Sequence, residues 1–326
     1  MKRLLESLSI LFAFFLCFGI GEFAVRMMNP VPPVQFIRSQ GSLTLFEHEG
    51  VPVWEEQGDN PIRYRSCAEK ETPNQVRIAI FGSSIFYGSG VTPEENFSVA
   101  LESKLAERWE RPVCVVNYSQ PAFGHLNKMA VADLNLGKFK PDIVLWEIWL
   151  NDSGRYVLLN DTAYNVGKLI TDEDGYPSLL GFRGATNKWL LTNSRLYEFA
   201  AFALSEDHHR PKDTDVWREF SRNRLSDVPA LMNEHGTDIH FAFCPVLHTP
   251  FQAQRETPQA EYVPVIDYLK ENRLPFVQLL DVFGDKRIED VRIDTCCHYN
   301  SEGHRILAEQ FANYFENAYP KGPSAP

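Results

Sequence analysis

A chain of 326 residues is long enough for one large domain or two small ones, and 44% hydrophobic with 13% aromatic content suits a globular protein with a sizeable core. The formal net charge of −11 excludes sequence-independent nucleic-acid binding, which needs clustered lysine and arginine; the basic stretch 208–212 is short and loop-like. No CxxC pair or His/Cys cluster has metal-ligand spacing, so neither a metal nor a cofactor is expected.

At the amino terminus, Lys2 and Arg3 precede an uncharged run, residues 7–21, rich in Leu, Ile and Phe. A membrane span takes about 20 apolar residues. That length is reached if Glu6 and Glu22 sit at the interfaces and Leu4, Leu5, Phe23, Ala24 and Val25 extend the run. Positive charge before the run predicts a cytoplasmic amino end and an exported bulk. Residues 1–27 therefore read as a transmembrane anchor, because apolar sequence continues past Gly21 before Arg26. The alternative is a signal peptide cleaved near Gly21, since Gly19-Ile20-Gly21 is a small-x-small site. Leu16 is too bulky for Cys17 to be a lipoprotein cysteine. Residues 28–75, which include Asn29-Pro30-Val31-Pro32-Pro33, read as a membrane-proximal connector.

Residues 78–81 are apolar and β-branched and stop at Gly82, which predicts a buried strand. Gly82-Ser83-Ser84 then puts a small hydroxyl residue at the strand's carboxyl end, where ligand sites gather in open α/β sheets. Residues 94–110 carry a helical apolar period through Phe97, Ala100, Leu101 and Leu105. Strand 112–117, helix 125–138 and strand 143–150 follow. Residues 152–212 are aromatic-rich and too long for an ordinary connection, so they read as a lid or insertion with a helix near 194–204. Helix 215–235, strand 238–243, helix 257–272, strand 276–280 and helix 301–318 complete the pattern, and residues 319–326 read as a disordered tail. Alternating strands and helices predict a parallel sheet covered on both faces, in a domain spanning 76–318. Cys114 and Cys244 fall in core strands, and Cys67, Cys296 and Cys297 in loops. A bridge from Cys67 to the Cys296-Cys297 pair is open, though spacing supplies no disulfide framework.

Three more strand ends carry polar residues. They are Asn117-Tyr118-Ser119-Gln120-Pro121-Ala122-Phe123-Gly124, Asn151-Asp152, and the loop Asp294-Thr295-Cys296-Cys297-His298. In these four ordered blocks, over residues 76–318, the chain resembles the SGNH (GDSL-type) hydrolase superfamily. The amino-terminal helix and Gly21-Glu22-Phe23-Ala24-Val25-Arg26 resemble its membrane-anchored bacterial members, with the domain on the periplasmic face of the inner membrane. The resemblance implies a three-layer α/β/α flavodoxin-like domain. It makes Ser84 a nucleophile and His298 the base that takes its proton, with Asp294 fixing the imidazole tautomer. The oxyanion would meet the backbone N–H groups of Ser84 and Ala122 and the side-chain amide of Asn151. Trp149 and His125 would line the substrate pocket.

Four positions depart from the family pattern. Ser83 replaces the Asp of Gly-Asp-Ser, Ala122 replaces the oxyanion glycine, and Trp149 stands two residues before Asn151 where the family has glycine. The usual Asp lies three residues before the histidine, where this chain has Thr295; Asp294 is four before. Either the loop holds an extra residue, or a backbone carbonyl steers His298 and the site is a dyad. His248 is the substitute base, and Glu147, inside an apolar strand, reads as a partnered buried carboxylate. The expected activity is a serine esterase on acyl, chiefly acetyl, esters of an ester-bearing small molecule or acylated extracellular glycan. An O-acyltransferase, or a catalytically silent glycan-binding or scaffold protein, are the alternatives. Nothing in the residues indicates an oligomeric state.

Overall fold

The computed structural model describes residues 2–28, 36–38, 43–48, 51–56, 64–65, 72–121, 123–149, 152, 156–159, 162–166, 169–204, 220–221, 223–247, 249–256, 262–284, 286–294 and 297–323. The chain divides into two compact units, residues 40–153 with 211–326 and residues 1–39 with 154–210.

In the first unit, short β-branched runs form five parallel strands: β5 (Val76–Phe81), β6 (Val113–Asn117), β7 (Ile143–Ile148), β10 (Asp238–Phe243) and β11 (Phe276–Gln278). A short antiparallel strand, β4 (Tyr64–Arg65), flanks β6, giving the order β11-β10-β7-β5-β6-β4. Taken in chain order, the parallel strands run 2-1-3-4-5, the flavodoxin-like arrangement, whose switch point lies between its first and third strands, here β5 and β7. Phe81 pairs with Trp146, so the turns leaving these two strands emerge side by side. A hairpin of β2 (Leu43–His48) and β3 (Val51–Glu56) also belongs to this unit.

Side chains alternate across the sheet, and each face finds a helical layer. On one face Ile78, Ile80, Val115, Ile143 and Leu145 cluster with two helices, α3 (Phe97–Trp109) and α11 (Ser301–Ala318). The α3 contribution, Phe97, Leu101 and Leu105, recurs every four residues and is fully buried. Burying each such side chain stabilises by about 1.5–3 kcal/mol, and Phe97→Ala would cost about 3–5 kcal/mol through the cavity it leaves. On the opposite face Phe81 and Trp146 pack at 5.5 Å between ring centres, covered by α4 (His125–Phe139), whose His125 meets Trp146 at 5.8 Å. Asn96 starts α3 by accepting the Ser98 N–H at 3.0 Å, and Asn300 starts α11 by accepting that of Gly303 at 3.0 Å.

The second unit pairs β1 (Phe36–Arg38), β9 (Thr162–Asn165) and β8 (Tyr156–Leu159) into an antiparallel sheet in the order β1-β9-β8. With it go α1 (Lys2–Met28), α5 (Gly184–Asn193) and α6 (Arg195–Leu204), and Val157, Tyr164, Leu191, Ala201 and Phe202 form its core. Glu22, expected at a membrane interface, accepts from Ser194 Oγ and from the N–H groups of Arg195 and Leu196, each at 2.9 Å. A carboxylate on the first N–H groups of α6 complements the positive end of that helix. Among the described residues, no helix is long and apolar enough to cross a membrane.

Three stretches differ from expectation. The connector 28–75 contains four short strands, because Leu43-Thr44-Leu45 and Val51-Pro52-Val53 alternate despite the prolines around them. Of the helix expected over 257–272, Tyr262–Glu271 (α9) is helical, preceded by α8 (Phe251–Glu256), and 257–261 lie outside the described residues. Of the one expected over 215–235, Phe220, Ser221, Asn223 and α7 (Asp227–Glu234) are helical, and 215–219 and 222 lie outside the described residues. Cys114 and Cys297 are disulfide-bonded, while Cys244 is a free thiol buried past the end of β10. Disulfides follow proximity in the fold, which spacing along the chain does not reveal.

Candidate active site

The turn after β5 is built around its small residues. A Cβ on Gly82 would lie 2.6 Å from Phe86 Cβ, 2.7 Å from Glu147 Oε2 and 2.9 Å from Ser119 Oγ, so only glycine fits. Ser83 then caps the single-turn helix α2 (Ser84–Tyr87), its Oγ accepting the Ile85 N–H at 3.4 Å. An aspartate at this position could cap the turn in the same way. Gly88, at φ 76° and ψ 50°, ends the turn in the left-handed region. Ser84 is thereby displayed, partly exposed, on the first residue of α2 beside the switch point of the sheet.

His298 Nε2 lies 2.8 Å from Ser84 Oγ, and His298 Nδ1 meets Asp294 Oδ2. A carboxylate at Nδ1 selects the Nδ1–H tautomer, which leaves Nε2 to accept the serine hydroxyl proton. The other carboxylate oxygen, Oδ1, accepts the N–H groups of Cys297 at 3.0 Å and His298 at 3.3 Å. Four-residue spacing works because the loop closes on itself. Ile293 N–H donates to His298 O at 3.0 Å, Arg292 and Tyr299 form an antiparallel bridge, and Tyr299 Oη donates to Pro245 O at 3.1 Å. These bonds bring the two ends of the loop together, with Asp294 beside His298.

Ala122, Asn151, His248 and Thr295 lie outside the described residues. Their neighbours are well tied. Gln120 N–H donates to Gly82 O at 3.2 Å, and Trp149 N–H donates to Asp152 Oδ2 at 3.0 Å. Trp149, expected to shape the pocket, is 6% exposed and clusters with the apolar core. His125, expected to line it, is 1% exposed, with its ring between Trp146 at 5.8 Å and Phe220 at 5.0 Å. Burial, with the Lys128 charge nearby, lowers its pKa to about 3, so it is neutral. His304 is also a core group, stacked on Phe97 and accepting its N–H at 3.4 Å.

Beneath the two turns lies a polar network that sequence reasoning missed in part. Glu147 is fully buried and accepts the Ser83 N–H through Oε2. Burial raises its pKa to about 7 against the lowering pull of Lys128 and the Ser83 N–H. Lys128, also fully buried, donates to Glu147 O at 2.6 Å and pairs with Asp152 Oδ1 at 2.6 Å. Nothing in the local pattern of α4 marks Lys128 as buried. Its one signal is the acidic Asp152 that follows a strand end elsewhere in the chain. Among the described residues, no cluster of His, Cys, Asp or Glu could hold a metal ion.

No protein-family model and no curated protein sequence matches the chain. Solved structures of similar fold include a two-domain esterase active on acetylated mannans, crystallised with mannopentaose (13% identity, TM-score 0.46), with 77% of this chain aligned to 52% of that one. The chain thus spans about half the length of that enzyme. An acetylxylan esterase, Axe2 from Geobacillus stearothermophilus, aligns at 16% identity and TM-score 0.45, covering 77% of this chain and 97% of that one. The esterase EstA from Pseudoalteromonas sp. aligns at 12% identity and TM-score 0.44, covering 75% and 98%. Likeness at this level concerns the general fold and assigns no activity.

Proposed function

We propose that the protein is a serine esterase acting on acyl esters through Ser84, His298 and Asp294. The observation that carries this reading is the continuous line from Ser84 Oγ to His298 Nε2 at 2.8 Å and from His298 Nδ1 to Asp294. In the first half-reaction Ser84 Oγ bonds to the ester carbonyl carbon while its proton passes to His298 Nε2. Asp294 stabilises the imidazolium that results. The carbonyl oxygen becomes an oxyanion, met on the family pattern by the N–H groups of Ser84 and Ala122 and the amide of Asn151. Collapse breaks the bond to the alcohol, which leaves with the proton from Nε2. Water then attacks the acyl-serine, giving its proton to His298, and a second collapse releases the acid and restores Ser84.

The acyl group in this proposal is acetyl, and its carrier an extracellular glycan. Acetylated substrates are also those of the mannan-active esterase and the acetylxylan esterase. We further propose that α1 anchors the chain, with the catalytic unit on the periplasmic side. Lys2 and Arg3 ahead of the uncharged run 7–21 support that orientation. The disulfides at Cys114 and Cys297 suit an oxidising compartment.

Full-length protein in detergent, treated with a fluorophosphonate probe and with p-nitrophenyl acetate, tests the reading. Labelling and turnover that both vanish in Ser84→Ala support it; a wild-type protein that neither labels nor turns over sinks it. Release of free acetate from an acetylated glycan, measured against transfer to an added oligosaccharide, separates esterase from transferase.

A further inference from the structure

Glu147 is the one carboxylate inside a strand otherwise made of Ile143, Val144, Leu145, Trp146 and Ile148, and it has no exposed surface. A carboxylate buried in such a strand costs stability unless it is bonded. Its bond goes to the backbone of the nucleophile's own turn, where Oε2 takes the Ser83 N–H. The approach depends on Gly82, whose missing Cβ leaves the 2.7 Å needed at Oε2. The peptide so held, Gly82–Ser83, is the one that leads into the residue before Ser84.

We infer that Glu147 is a positioning residue for Ser84, gripping the turn through the Ser83 N–H so that Ser84 Oγ stays within reach of His298. The inference rests on the esterase reading and extends it to a group that never touches substrate. An ionised carboxylate holds an N–H more strongly than a neutral acid does. Glu147 changes charge near pH 7, so the grip tightens as pH rises through that value. The ionisable groups around it are Lys128 from α4, Asp152 after β7, Cys244 after β10 and Tyr299 beside His298. Burial, with Glu147 nearby, pushes Cys244 and Tyr299 well above their usual values, so both stay neutral through this range. Lys128 bonds the carbonyl of Glu147 and the carboxylate of Asp152, so the same residue also ties the turn after β5 to the turn after β7.

The test compares full-length wild type, Glu147→Gln and Glu147→Met by the rate of fluorophosphonate labelling between pH 5 and 9. Gln retains an acceptor for the Ser83 N–H but cannot ionise. Its labelling should stay within about threefold of wild type near pH 7, and its dependence on pH around that value should be shallower than that of wild type. Met fills the space without accepting, and misplacement of Ser84 should slow labelling by about 30-fold to 100-fold, with KM for p-nitrophenyl acetate little changed. A folded Met variant labelling at the wild-type rate overturns the inference, as does a Gln variant whose pH dependence is as steep as that of wild type. Hydrogen exchange at the Ser83 amide gives a readout independent of activity: protection in wild type and Gln, lost in Met. If wild type never labels, the esterase reading falls. The amide exchange then decides the role of Glu147, because unchanged protection in Met overturns it.

Discussion

Ser84 sits on a turn whose ties run inward. Ser83 N–H reaches buried Glu147, Gly82 O takes the Gln120 N–H, and the adjacent turn is pinned by the Lys128–Asp152 pair, both members with no exposed side chain. His298 sits on a loop with several bonds inside itself, beside outward ties through the Cys297 disulfide and Tyr299 Oη on Pro245 O. Asp294 accepts from Cys297 and His298, and Ile293 closes the ring on His298 O. The Asp294 side chain is 39% exposed and that of His298 20% exposed. One half of the site therefore borrows its geometry from the protein interior, and the other draws much of it from bonds within its own loop. Substitutions in the interior should alter folding and chemistry together, whereas substitutions in the loop should alter chemistry and spare the fold.

The largest expected effect lies on the loop side. Asp294→Asn keeps the shape of the loop but removes the charge facing Nδ1, and kcat should fall by about 10,000-fold as the wrong tautomer is stabilised. Its thermal midpoint should stay close to wild type, since no buried group loses a partner. A fall of less than tenfold would mean that a backbone group steers His298 and that the observed pairing is incidental to turnover.

On the interior side the sharpest break is Lys128→Met. Asp152 would be left as a buried, unpaired carboxylate, and removing one member of a buried ion pair costs about 3–5 kcal/mol. Urea denaturation should show that loss as a lower midpoint, with activity reduced because Trp149 N–H and the segment after it lose their anchor. Adding Asp152→Asn to the same variant should return part of the stability, since the stranded charge is gone. No recovery in the double variant would mean that Lys128 acts through Glu147 O alone.

The two halves also differ in how far the sequence reveals them. Strands β5, β6, β7 and β10 were legible to within a residue or two because β-branched runs stop at Gly82, Tyr118, Trp149 and Cys244-Pro245. Ser84 and His298 are 214 residues apart, and only the order of four strand-end blocks pointed from one to the other. The four-residue spacing from Asp294 to His298 left a triad and a dyad both open. The pairing of Ile293 N–H with His298 O, which brings the ends of the loop together, exists only in three dimensions. Lys128 was illegible for a related reason, since a lysine in an amphipathic helix normally faces solvent and its partner Asp152 lies in another turn. Pro52 within β3 and the prolines of 30–33 masked the strand alternation in residues 43–56.

The finest test asks whether the histidine loop truly supports itself. Asn300 follows it by two residues, accepting the Gly303 N–H at 3.0 Å and donating to Asp290 O at 3.1 Å and Arg292 O at 3.4 Å. It is at once the cap of α11 and a strut to the start of the loop. Losing a cap of this kind costs about 1 kcal/mol, so Asn300→Ala should lower the denaturation midpoint slightly. If the ring closed by Ile293 and the Asp294 carboxylate holds His298, activity should change no more than a few-fold. Asn300→Asp keeps the acceptor for Gly303 and gives up both donor bonds, so it should recover most of the stability and match Asn300→Ala in activity. A tenfold loss of activity in both variants, at nearly unchanged stability, would show that the loop leans on α11 and is not self-contained.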